Sequence, residues 1–120
     1  MVNLISWNVR GAAYRDLLLT LRNWVREHNV HFLVLLEPII SGRRADRVVR
    51  RIGLTDWLRV EASGCSGGIW ILWRTEVVNL EMLAFYSKLV HALVSIDGCS
   101  EWLLTAVYGD PQPIAKEFAG

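Results

Sequence analysis

Apolar residues fall in two rhythms along the chain, and the change of rhythm divides it. From Tyr14 to His28, the residues Leu17, Leu18, Leu21, Trp24 and Val25 recur at helical spacing opposite Arg15, Arg22 and Arg26. That stripe predicts an amphipathic helix that stops near Asn29. A shorter stripe of Ala45, Val48, Val49 and Ile52 follows the i, i+3, i+4, i+7 pattern, with Ser41 placed to cap it and Gly53 to end it. Around these lie strand-like runs, Val2 to Val9 and Val30 to Leu36. The second does not alternate, which predicts burial on both faces beneath helices, and the strand-helix-strand order predicts parallel neighbours joined by a right-handed crossover. Pro38 is expected to end the pairing just after Glu37.

From Trp57 onward the rhythm becomes that of successive strands: Trp57 to Ala62, Gly68 to Trp73, Val77 to Leu83, Leu89 to Ile96 and Glu101 to Tyr108. Gly64, Gly67-Gly68 and Asp97-Gly98 supply turns, the last suited to a tight hairpin. An α/β opening followed by an antiparallel meander is the expected order. The six tryptophans sit within these periodic runs, where their area favours core packing.

The length of 120 residues matches one small domain, and 52% hydrophobic with 21% charged residues argues against disorder. A formal net charge of +1 excludes a general electrostatic affinity for nucleic acid, so any basic surface must be local. Arg43, Arg47, Arg50 and Arg51, opposite the second apolar stripe, form the one dense basic patch, readable as a phosphate contact or as a solvated face. Cys65 and Cys99 lie far apart, and neither has metal spacing with His28, His31 or His91. Free thiols and an intracellular protein are expected, in nucleus or cytoplasm. Arg10 interrupts the first apolar run before it resembles a signal peptide, and runs such as Phe32 to Leu36 are far too short to span a bilayer.

Three apolar runs end on a polar group: Asn8 before Gly11, Glu37, and Tyr108 before Gly109. Sheet proteins place ligands in crevices outside the carboxyl ends of strands, so the three are candidates for one pocket. Glu37 can supply an oxygen ligand to a hard cation such as Mg²⁺, or simply close a strand in solvent. Asn8 can orient a phosphate or a water, or satisfy the backbone at a strand exit. Tyr108 can donate to a phosphate, or be an aromatic with a wet tip.

Taken in order, Ile5-Ser6-Trp7-Asn8-Val9-Arg10-Gly11, Leu35-Leu36-Glu37-Pro38, Ser66-Gly67-Gly68-Ile69-Trp70-Ile71-Leu72-Trp73 and Trp102-Leu103-Leu104-Thr105-Ala106-Val107-Tyr108-Gly109 resemble the N-terminal half of a LINE-type (non-LTR) retrotransposon endonuclease of the plant kind, within the exonuclease-endonuclease-phosphatase superfamily. The resemblance implies a fold class of α/β, a partial four-layer sandwich: a first sheet with its covering helices, the second half missing. Residues 1–113 are expected to be the domain and 114–120 a non-homologous or unstructured tail. It further implies Mg²⁺-dependent cleavage of phosphodiester bonds in DNA, with Glu37 as metal ligand, Asn8 orienting the centre and Tyr108 on the scissile phosphate. Arg10 stands where abasic-site repair relatives carry an aspartate, which favours the retrotransposon branch. The family's later Gly-Asp-Phe-Asn and Ser-Asp-His motifs do not occur up to Gly120, and Asp110, which precedes Pro111, does not replace them. The chain alone is therefore expected to be inactive, with one sheet face exposed as an apolar patch prone to self-association. Two other readings stand beside this one: a non-catalytic nucleic-acid or protein interaction module using the Arg43-Arg51 helix, and a decayed insertion with no retained function.

Overall fold

The computed structural model describes residues 3–9, 14–38, 40, 42–60, 68–86, 89–96 and 100–107. In chain order its elements are β1 (Leu4–Asn8), α1 (Tyr14–Glu27), β2 (Phe32–Leu36), α2 (Gly42–Ile52), β3 (Asp56–Val60), β4 (Ile69–Trp73), β5 (Val78–Tyr86), β6 (Leu89–Ile96) and β7 (Ser100–Val107). Both helices form where the apolar stripes predict them. Asp16 in the first turn of α1 and Arg26 in its last complement the helix dipole, and Asn29, at φ 48°, turns the chain out of the helix. The capping position Ser41 lies outside the described residues.

Gly53 ends α2 at φ 103°, a conformation that a side chain resists. A Cβ built there meets nothing within 4 Å, so any cost of adding one comes from the backbone alone. Gly53→Ala is accordingly expected to lower the unfolding free energy by about 1–2 kcal/mol, read from a urea titration of the helical signal.

The strands form two sheets, a four-stranded one in the order β1-β2-β4-β3 and a three-stranded one in the order β5-β6-β7. β1 and β2 are parallel neighbours, as the strand-helix-strand pattern predicts, and every other pairing is antiparallel. The expected continuous meander is corrected here. β3 and β4 join the first sheet, with β4 inserted between β2 and β3, and only β5 to β7 form a meander of their own. The physical reason is burial: all five residues of Ile69–Trp73 are buried, which requires cover on both faces and strands on both sides.

Alternate residues of the first sheet serve two cores. Leu33, Leu35, Trp70 and Leu72 face the helices and pack with Leu17, Leu21 and Val25 of α1 and Ala45, Val48, Val49 and Ile52 of α2. Phe32, Val34, Ile69, Ile71 and Trp73 face the second sheet and pack with Val78, Val90, Val94 and Ala106. Phe32 meets Trp102 across the two sheets at a ring separation of 6.3 Å. The expected bare face on the first sheet is therefore corrected too, because β5 to β7 cover it. The cover stops short of β1, whose Leu4, Ser6 and Asn8 are exposed while Ile5 and Trp7 are half-buried on the helix side. The other exposed apolar side chains of the sheets, Leu83 and Leu103, belong to the second sheet. β5 runs past its expected end at Leu83 because a register shift between Met82 and Ala84 takes up Leu83 and lets pairing resume.

Of the tryptophans, Trp70 and Trp73 are buried, and Trp7, Trp24, Trp57 and Trp102 are half-buried against the two cores. The Asp97-Gly98 turn, Gly64 and Gly67 lie outside the described residues, as do both cysteines and residues 114–120. No helix among the described residues is long and apolar enough to cross a membrane.

Candidate metal and phosphate site

The parallel register of β1 and β2 sets the site. Asn8 pairs with Leu36, and the Val9 N–H donates to the Leu36 carbonyl at 2.9 Å. Glu37 follows Leu36 directly, so Asn8 and Glu37 leave the sheet at the same end, on adjacent strands and one residue out of step. Adjacent strands lie about 4.8 Å apart, so the backbone positions of Asn8 and Glu37 share one end of the sheet. Trp7 stacks on Trp24 of α1 at 5.0 Å with the rings tilted by 57°, which fixes β1 against the helix just before Asn8.

Glu37 departs from ordinary glutamate behaviour in two ways. It is only 4% exposed, the one buried charged residue among those described. Its φ is 58°, in the left-handed region that costs a side-chain-bearing residue roughly 1–2 kcal/mol. Its N–H donates to the Gly68 carbonyl at 2.9 Å, so the residue directly before β4 holds the bend. No buried side-chain nitrogen or oxygen among the described residues lacks a hydrogen-bond partner. A strained, buried and anchored acid beside an exposed amide is the kind of outlier that marks a functional position.

Gly68, expected as a turn residue at the start of a strand, is a residue at this end of the sheet that the sequence did not single out for the site. Its φ of 90° and its position directly before a fully buried strand are the signals that its backbone is fixed for a purpose.

The histidines lie elsewhere. His31 precedes β2, six residues from Glu37 and therefore about 20 Å away along an extended strand, and its Nδ1 accepts the Asn3 N–H at 3.1 Å. His28 follows α1, where its carbonyl accepts from the Asn3 side chain at 2.8 Å. His91 Nδ1 lies 2.8 Å from Thr105 Oγ1, on β6 and β7 of the second sheet. Among the described residues no three His, Cys, Asp or Glu side chains come together.

Arg43, Arg47, Arg50 and Arg51 are exposed along α2, which begins five residues after Glu37. Arg10 and Tyr108 lie outside the described residues.

No family model matches the chain, and no curated protein does. Solved structures do match. A crystal structure of D. rerio TDP2 complexed with single-strand DNA product superposes with a TM-score of 0.68 at 17% identity, over 98% of this chain and 52% of that one. The fold is of the exonuclease-endonuclease-phosphatase type. TDP2 from Caenorhabditis elegans matches with a TM-score of 0.59 at 22% identity, over 98% of this chain and 38% of that one. A truncated form of the C. elegans protein gives the same score and identity over 51% of its length. The chain thus spans about half, or less, of the exonuclease-endonuclease-phosphatase-type structures it matches.

Proposed function

We propose that the chain carries the cation- and phosphate-holding half of a Mg²⁺-dependent DNA endonuclease of the LINE-type retrotransposon kind found in plants. The observation that carries this reading is the buried, backbone-strained Glu37 held by Gly68 beside exposed Asn8. The resemblance of the four motifs, three of which contain these residues, supports the family assignment. A neighbour of the same fold solved with single-strand DNA product supports DNA as the substrate.

The donor set fits the cation. Mg²⁺ is typically held by one or two carboxylates, with waters and substrate phosphate completing its shell. Glu37 would hold it, and the bound ion would neutralise charge developing on the phosphoryl oxygens. Asn8 would donate its amide to a phosphate oxygen and fix the phosphodiester against the rim, a contribution of positioning. Tyr108 would add a hydroxyl donor, and Arg10 a cation toward the backbone. Water activation requires a general base, and none of the three histidines lies near Glu37. The chain alone is therefore expected to leave supercoiled plasmid intact in Mg²⁺, and to nick it when the second half of the fold is supplied.

Titration with Mn²⁺, a paramagnetic stand-in, tests the site directly. It is expected to broaden the amide resonances of Asn8, Val9, Glu37 and Gly68 first. Broadening centred on His28 and His31, or none at all, would remove the metal reading.

A further inference from the structure

The solvent face of α2 is a charged surface that the rim does not use. Five arginines and one aspartate give α2 a formal charge of +4, whereas the whole chain carries +1, so the remaining residues carry −3. Arg43, Arg47 and Arg51 succeed one another at i, i+4 and i+8, and Arg50 lies beside them on the same exposed face. Among the described residues, none of these four has a carboxylate partner. The one aspartate, Asp46, is engaged by Arg59 of β3 at 2.8 Å, which ties the helix to the sheet. The buried face of Ala45, Val48, Val49 and Ile52 fixes it further.

Arg50 and Arg51 complement the dipole in the last turn, but the rest of the arrangement works against helix stability. Like charges at i, i+4 repel, and Arg43 stands in a first turn that lacks an acidic residue, where the helix dipole disfavours cations. A polyanion laid along the face would relieve both effects. The geometry suits a phosphate backbone. Four residues of helix rise about 6 Å, so Arg43 to Arg51 covers about 12 Å. Each strand of a duplex presents one phosphate per roughly 3.4 Å of axis, so three or four phosphates lie within that length. Guanidinium groups meet them in bidentate fashion.

We propose that the Arg43-Arg47-Arg50-Arg51 face of α2 binds the phosphate backbone of duplex DNA, extending from the Asn8-Glu37 rim the track on which the substrate lies. The identity of the polyanion rests on the phosphodiesterase reading, and the binding itself does not.

The test is fluorescence anisotropy of the chain with a labelled 20-base-pair duplex in EDTA, between 50 and 200 mM salt. Four contacts give a log-log salt slope of about −3.6, a loss of roughly 150-fold in affinity over that range. Arg47→Gln/Arg50→Gln is expected to halve the slope. Arg22→Gln/Arg26→Gln on α1, with the same net charge, is expected to leave it in place. The α2 variant should melt no lower than the parent, so that weaker binding is not unfolding. Equal changes from both pairs would reduce the effect to net charge and overturn the proposal. Displacement of the duplex by poly-glutamate as readily as by unlabelled DNA would overturn it in favour of an acidic protein. Because EDTA removes divalent cations, loss of Mn²⁺ broadening at Asn8 with the arginine-dependent slope intact sinks only the rim reading. The converse sinks only this surface.

Discussion

Glu37→Gln is expected to lower the Mn²⁺ affinity of the chain by on the order of a hundredfold, measured by calorimetric titration. The substitution keeps the shape of the side chain and removes its charge, so it isolates the role of Glu37 as an anion. Glu37→Ala goes further, because it strips hydrogen-bond partners from a residue only 4% exposed and leaves them unsatisfied, at a cost of about 1–3 kcal/mol in unfolding free energy. Glu37→Gly should lose cation binding equally yet be about 1 kcal/mol more stable than the alanine variant, since glycine accepts the positive φ of this position. An affinity for Mn²⁺ that survives Glu37→Gln within twofold would make the acid a structural device and leave the proposed chemistry without its centre.

Trp70→Ala should remove a large share of the stability of the chain. Trp70 is 1% exposed on β4, between β2 and β3, and its side chain fills the core beneath both helices. Truncating a buried tryptophan costs about 3–5 kcal/mol, against a total of roughly 5–15 kcal/mol for an ordinary domain. Leu103→Ala, at a position 60% exposed, is the matched control and should change stability by about 0.5 kcal/mol or less. Urea unfolding followed by circular dichroism separates the two. A loss below about 1 kcal/mol at Trp70 would contradict the placement of β4 at the centre of the sheet.

Much of this architecture is legible in the order of residues, and the reasons are local. Leu17, Leu21 and Val25 reveal α1 because helical periodicity reports directly which side is buried, and Asn29 and Gly53 mark helix ends because few residues tolerate the backbone they adopt. The insertion of β4 between β2 and β3 is not local, since pairing partners are set by packing across the whole chain. The clue was present in Ile69-Trp70-Ile71-Leu72-Trp73, which does not alternate any more than Phe32 to Leu36 does, so both runs describe interior strands. At the rim, Asn8 and Glu37 emerge together because parallel neighbours expose corresponding ends. The left-handed bend at Glu37 has no sequence signature, for glutamate is an ordinary choice almost anywhere else. The likeness in motifs led to the right fold type even though identity to the solved structures is only 17–22%.

β1 closes the four-stranded sheet on one side, and no described strand pairs with its outer edge. Half of its backbone donors and acceptors therefore point outward beside Asn8, as a template for one more strand about 4.8 Å away. Whatever polypeptide docks there delivers its own side chains, in fixed register, to the end of the sheet that carries Asn8 and Glu37. The open edge thereby couples anything added to the sheet to the backbone geometry at that end.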